Sequence, residues 1–169
     1  MLESILNRPV ISRTRRNHAL EHATIHLLSA RHPQATLVGR SDPRGFYLFG
    51  DVPSEAVVVT AQEALQRLAG GERRLSIHPN CGTNLMTTAV LGGLAAFVSL
   101  AGRSGTRRRV ERLPTAIFVT LLGVLIAQPL GTALQRSVTT QADPMGMRIT
   151  EVKTWRRGRV TLHRVLTAG

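Results

Sequence analysis

The residues with the clearest chemical potential lie in one short segment, HALEHATIH, which runs from His18 to His26. On an α-helix each residue advances by about 100°, so His18, His22 and His26 share a face, and Glu21 lies beside them. Two imidazoles four residues apart can bind one metal ion, and His-x-x-Glu-His is the inverted zincin arrangement. There the glutamate is not a ligand but takes a proton from metal-bound water. The alternative is a solvated polar helix face.

A second group of candidate ligands occurs in HPNCGTN, which runs from His78 to Asn84 directly before an apolar stretch. The imidazole of His78 or the thiolate of Cys81 could complete a site with three protein ligands and leave one position for water. Cys81 is the only cysteine, which excludes a disulfide-stapled fold. It could instead be a small buried hydrophobic residue, with Pro79 and Gly82 forming a turn only.

Two segments without Asp, Glu, Lys, Arg or His, Leu85 to Gly102 and Thr115 to Leu134, predict a helical hairpin that spans a membrane. Each would be about 27–30 Å long as a helix, which is close to the hydrocarbon thickness of a bilayer. A buried hairpin inside a soluble domain is the alternative. A chain of 169 residues could hardly surround both helices with protein, so we favour the membrane.

An arginine-rich loop, residues 103–114, joins these two segments, and the chain has a net charge of +12. Both features bear on the orientation of the protein in a membrane and on its binding partners. The positive-inside rule places the loop in the cytoplasm and both termini outside. The first 84 residues, however, contain ten arginines and no signal peptide. We therefore favour a bacterial inner-membrane protein whose metal site is cytoplasmic. Anionic headgroups explain the arginine clusters better than nucleic acid does, because one Trp and one Tyr offer few stacking platforms.

The rest of the chain predicts a small α+β domain built from both ends, and 43% hydrophobic residues exclude a disordered chain. The predicted divisions are an α+β part (1–84), the transmembrane hairpin (85–134), and a linker with a C-terminal β-hairpin (135–169). The predicted helices of the α+β part are Asn17 to Ala30 and Pro53 to Leu68. Its predicted strands are Ala35 to Arg40, Phe46 to Val52 and Arg73 to His78, and a last hairpin turns at Arg157-Gly158.

The two histidine-containing motifs, in this order and directly before an apolar helix, resemble the YqhQ-like bacterial membrane proteins. Those proteins carry H-x-x-E-H-x-x-I followed by H-P-x-C-G-T and are described only as predicted metal-dependent enzymes. The resemblance covers residue 17 to about residue 134. The matching residues are His18, Glu21, His22, Ile25, His78, Pro79, Cys81, Gly82 and Thr83. This chain departs from the family in its shortness, its single apparent hairpin and its additional His26.

The resemblance implies a bound metal, for which we expect His18, His22 and either His78 or Cys81 as ligands. Zinc, one ion per chain, is the default for imidazole and thiolate donors. His26 is a candidate fourth ligand, a residue that orients a ligand, or a surface residue. We expect His32 and His163 to be bystanders.

Two functions compete. The first is a membrane-bound zinc peptidase in which Glu21 is the general base and a peptide or protein is the substrate. The second is a non-enzymatic assembly or regulatory subunit with a structural metal. Three protein ligands plus water favour the first function, and four ligands favour the second. A homo-oligomer is compatible with both.

Overall fold

The computed structural model describes residues 1–101, 110–158 and 160–169, which form two compact units. One unit comprises Met1–His78 together with Arg136–Gly169, and the other comprises Pro79–Gln135. The first unit is therefore built from both ends of the chain. Residues 102–109, which include most of the arginine-rich loop, lie outside the described residues.

The unit built from both chain ends has an α+β fold, which confirms the α+β class predicted for this part of the chain. Its four-stranded sheet is antiparallel throughout, in the order β1-β2-β4-β3. Its helices and strands are α1 (Leu2–Leu6), α2 (Pro9–Arg31), β1 (Val38–Asp42), β2 (Gly45–Phe49), α3 (Ser54–Ala69), a 3₁₀ helix (Arg73–Ser76), β3 (Arg148–Arg157) and β4 (Val160–Ala168).

Helix α2 begins at Pro9, eight residues before the predicted start at Asn17. Proline is favoured in the first turn of a helix because its fixed φ suits the helix and its missing N–H would have no intrahelical partner. The polar stretch after it does not break the helix, and the Thr14 hydroxyl donates to the carbonyl of Val10. The candidate histidines therefore lie in the middle of a long helix rather than in its first turns.

The core of this unit lies where α2 and α3 pack with β2 and β4. Its largest fully buried apolar side chains are Leu20, Leu28, Phe46, Leu48, Val57 and Val165. Burial of a Leu or Phe side chain stabilises a fold by about 1.5–3 kcal/mol. This packing fixes the rotation of α2, since Leu20 and Leu28 are held inside. The rotation in turn decides where its histidines point.

The prediction of a strand from Arg73 to His78 is wrong, because this segment begins as the 3₁₀ helix. The Ser76 hydroxyl donates to the carbonyl of Arg73, which stabilises the tight turn. Two backbone carbonyls at the end of the segment, those of Ser76 and Ile77, accept hydrogen bonds from histidine rings of α2. These side-chain contacts take the place of a strand neighbour.

The second unit contains two apolar helices, α4 (Gly82–Leu100) and α5 (Leu113–Leu134). Both are long and apolar enough to cross a membrane, by length and composition. They pack closely at Gly123, where an added Cβ would lie 3.1 Å from the carbonyl oxygen of Leu91. Gln135 donates to the Asn84 side chain at 2.8 Å, which satisfies two polar side chains buried in this unit.

Candidate metal centre

Helix α2 presents three histidines on one face, at the spacing that the sequence predicts. The ring centroids of His18 and His22 are 4.2 Å apart, in an edge-on arrangement. The His22 side chain is almost completely enclosed, with a residue exposure of 2%, while His18 and His26 are partly buried. One turn of helix therefore holds two imidazoles in contact, and that of His22 is shielded from solvent.

His78, which follows the 3₁₀ helix, brings a fourth ring to this face. Its centroid is 5.7 Å from that of His22 and 4.7 Å from that of His26. Two imidazoles on one tetrahedral zinc ion have centroids about 5 Å apart, given Zn–N bonds of about 2.0–2.1 Å. The three centroid separations lie close to this value. We use the term histidine cluster below for His18, His22, His26 and His78.

Backbone carbonyls determine which ring nitrogen of each helical histidine carries the proton. The Nδ1–H of His18 donates to the carbonyl oxygen of Thr139 at 2.9 Å, and the Nδ1–H of His22 donates to that of Ser76 at 2.7 Å. A carbonyl only accepts, so each of these nitrogens must be the donor. In the neutral ring, Nε2 then carries the lone pair. Histidines that bind metals characteristically donate their other N–H in this way.

His26 uses its other ring nitrogen to contact the backbone. Its Nε2–H donates to the carbonyl oxygen of Ile77 at 2.7 Å. In a neutral His26 ring the lone pair is therefore on Nδ1, whereas in His18 and His22 it is on Nε2. Its ring packs against His78, which suits a residue that positions another ring.

The electrostatics of the cluster favour neutral imidazole at His78. Burial, and secondarily the electrostatic influence of the neighbouring His26 and His22, lowers the pKa of His78 to about 4. His78 is therefore uncharged at pH 7, and the neutral ring is the form that can bind a metal ion.

Glu21 lies between His18 and His22 along α2 and packs against β1. Its residue exposure is 4%, and the hydroxyl of Ser41 donates a short hydrogen bond to its Oε2. Strand β1 approaches closely here because Gly39 has no side chain, and a Cβ at that position would overlap the Glu21 carboxylate. The strand thus encloses the carboxylate and fixes its orientation.

We expect Gly39→Ala to lower the free energy of unfolding by about 1–3 kcal/mol, because an enclosed Glu21 has little room to move away from the added methyl group. The measurement is urea unfolding of the variant beside wild type, followed by tryptophan fluorescence. In a double-mutant cycle, Glu21→Ala should relieve most of this cost. Equal costs in both backgrounds would show that Gly39 does not act through Glu21.

The sequence also singled out Cys81, His32 and His163. Cys81 is buried at the N-terminal cap of α4, three residues after His78, and its sulfur accepts from the N–H of Thr83 at 3.4 Å. His32 forms the C-terminal cap of α2. His163 is buried in β4, where its Nδ1 pairs with the hydroxyl of Thr154 at 2.9 Å.

Sequence reasoning missed the groups that orient the site, namely the carbonyls of Ser76, Ile77 and Thr139 and the hydroxyl of Ser41. Every residue has a backbone carbonyl, so residue type carries no signal for the first three. The alternation of β1 could have indicated that Gly39 and Ser41 share a face.

Comparison with known proteins places the chain among relatives without assigning a reaction. A family model described as a domain of unknown function (DUF6391) matches residues 13–152, a range that includes every candidate ligand. An uncharacterized protein of Picosynechococcus sp. (strain PCC 7002) is 34% identical over 149 residues, which cover 82% of this chain and 71% of the relative. No solved structure matches the chain. Neither description mentions the YqhQ-like proteins, so that resemblance stays a prediction.

Proposed function

The chain belongs to the DUF6391 family, and we propose that it is a membrane-bound, metal-dependent hydrolase of the inverted zincin type. The observation that carries the proposal is the matched pair of rings on α2. His18 and His22 both donate Nδ1–H to a backbone carbonyl and so present Nε2 as the lone-pair nitrogen. Their spacing of four residues suits a single zinc ion.

The third ligand in this proposal is His78 or Cys81. His78 is neutral at pH 7 and contacts the His22 ring. Cys81 follows it by three residues, a stretch of chain that spans at most about 10 Å. We assign His26, whose ring packs against that of His78, the role of orienting His78, which leaves three protein ligands. Such a site keeps one position for water or substrate, as catalytic zinc sites do.

Glu21 is the proposed general base. Zinc at this site would lower the pKa of a bound water molecule and polarise a scissile carbonyl. The Glu21 carboxylate would accept the proton of that water and pass it to the leaving group. Its hydrogen bond from Ser41 holds the carboxylate in one orientation, and a positioned base is more effective than a mobile one. A peptide or protein is the proposed substrate, by analogy with other His-x-x-Glu-His sites.

The membrane location rests on the apolar side chains that α4 and α5 leave uncovered. Only 11% of the most apolar window of each helix is buried within the structure. Phe97 and Phe118 are exposed by 70% and 61%, which is unfavourable in water and favourable in lipid. We propose the bacterial inner membrane, with the metal site on the cytoplasmic side and anionic headgroups at the arginines.

One observation favours the alternative, a non-enzymatic protein with a structural metal. His22 and Glu21 are nearly inaccessible, and structural zinc sites are closed to solvent. In that case the metal would hold the segment around His78 against α2. The alternative function is then the assembly or regulatory role that the sequence analysis offered.

The proposal is tested by one preparation with two measurements. Membranes that contain the protein are washed with alkaline carbonate, extracted with detergent in the absence of chelators, and analysed by mass spectrometry for metals. We expect the protein to stay in the washed membranes, because apolar burial is not screened by salt or lost at high pH. We also expect about one zinc ion per chain. Release by the wash contradicts the membrane proposal, and absence of stoichiometric metal contradicts the hydrolase.

A further inference from the structure

A pocket of about 530 Å³ lies within the unit built from both chain ends. Four arginines from three separate segments line it. They are Arg15 of α2, Arg73 and Arg74 of the 3₁₀ helix, and Arg136. Asp143 is the only acidic residue among the described residues of the lining. We call this cavity the arginine pocket.

The described lining of this pocket carries four arginines and one aspartate, so positive charge predominates there. Within the described ranges, Arg73, Arg74 and Arg136 form no ion pair with a carboxylate. The Asp143 carboxylate accepts instead from the N–H of Met145 at 2.8 Å. Several guanidinium groups around one concave volume repel one another, so a bound anion would stabilise the arrangement.

The remaining arginine organises the pocket wall. Arg15 donates to the carbonyl oxygens of Val138, Ser137 and Thr140, at 2.7, 3.1 and 3.2 Å. These bonds hold the segment that directly follows Arg136 against α2. The wall of the pocket is thus formed before any ligand arrives, which lowers the entropic cost of binding.

We propose that the arginine pocket binds a ligand that carries a phosphate group. A phosphate monoester has a charge of about −1.5 to −2 at pH 7, which suits several arginines better than a single carboxylate does. Guanidinium groups also donate two parallel hydrogen bonds to phosphate oxygens. The volume falls within the range of small-molecule sites and exceeds what a bare phosphate ion needs. Ile77 and Ala142 supply apolar wall for an attached organic group.

The phosphate group could belong to a soluble phosphate ester or to a phospholipid headgroup. A lipid source fits the position of Arg136, which follows the end of the proposed membrane helix α5 by only two residues. The pocket also adjoins the histidine cluster, since Ser76 and Ile77 line it while their carbonyls hold His22 and His26. The proposal goes beyond the hydrolase function and does not depend on a bound metal.

The test compares two charge-matched double variants. Arg73→Gln/Arg74→Gln removes two exposed arginines of the pocket, and Arg148→Gln/Arg156→Gln removes two exposed arginines of β3 outside it. Titration calorimetry in neutral detergent, at constant ionic strength, measures binding of glycerol 3-phosphate and inorganic phosphate. A parallel arm measures the thermal stability of the protein in phosphatidylcholine nanodiscs with and without phosphatidic acid. Unliganded unfolding temperatures verify that both variants fold, and Arg136→Gln serves as a second pocket variant.

For a soluble ester we expect saturable binding that the pocket variants weaken by about ten-fold or more and the β3 variant by less than about two-fold. For a lipid headgroup we expect stabilisation by phosphatidic acid that only the pocket variants lose. Either pattern supports the proposal and identifies the source. The proposal is overturned if neither source binds saturably, or if the pocket and β3 variants lose binding equally.

Discussion

His22→Ala is expected to weaken zinc binding by at least about 100-fold. Its ring is the central one in the cluster, 4.2 Å from His18 and 5.7 Å from His78 between centroids. Loss of a residue that merely orients a ligand already costs about 10–100-fold in metal affinity, and loss of a ligand costs more. The measurement is competition for zinc with a chromogenic chelator, on detergent-solubilised protein.

Two matched histidine variants sharpen this experiment. His32→Ala removes the same ring at the C-terminal cap of α2, outside the cluster, and should leave zinc affinity unchanged. His26→Ala should lower the affinity by about 10–100-fold, the effect of a positioning residue. If His26→Ala abolishes binding as fully as His22→Ala does, His26 is a ligand and the structural role of the metal is favoured. Undiminished zinc in His22→Ala would contradict the site itself.

Glu21→Gln should separate catalysis from metal binding. Glutamine is nearly isosteric with glutamate, and its amide oxygen can still accept from Ser41, so fold and zinc content should be retained. Activity should fall by about 10²–10⁴-fold, which is the usual contribution of a positioned general base. The measurement is hydrolysis of a peptide library by the zinc-loaded protein in detergent, beside zinc content and thermal stability.

Ser41→Ala is the matched control for Glu21→Gln, since it removes the orienting hydrogen bond and leaves the carboxylate in place. A partial loss of activity is expected, smaller than that of Glu21→Gln. Weaker zinc binding in Glu21→Gln, together with no peptide cleavage by wild type, would favour a structural role for the metal. Glu21 would then support a ligand instead of taking a proton.

Several features of the fold follow from local sequence patterns. The uncharged segments before and after the arginine-rich loop correspond to α4 and α5, within three residues at each end. The turn around Pro43 correctly predicts the β1-β2 hairpin, because proline and glycine restrict the backbone locally. The prediction failed at Arg73 to His78, where β-forming residues adopt a 3₁₀ helix under tertiary contacts. The strand preference of a short segment with alternating apolar residues is small, so tertiary contacts can override it.

For the candidate site, the sequence by itself determined that His18, His22 and His26 share one helical face, since this depends only on 3.6 residues per turn. The tertiary structure decided which nitrogen each ring presents, because that depends on where the carbonyls of Ser76, Ile77 and Thr139 lie. It also brought together the arginines of the pocket, which are up to 121 positions apart in the chain. Long-range packing sets both arrangements, and residue type does not encode it.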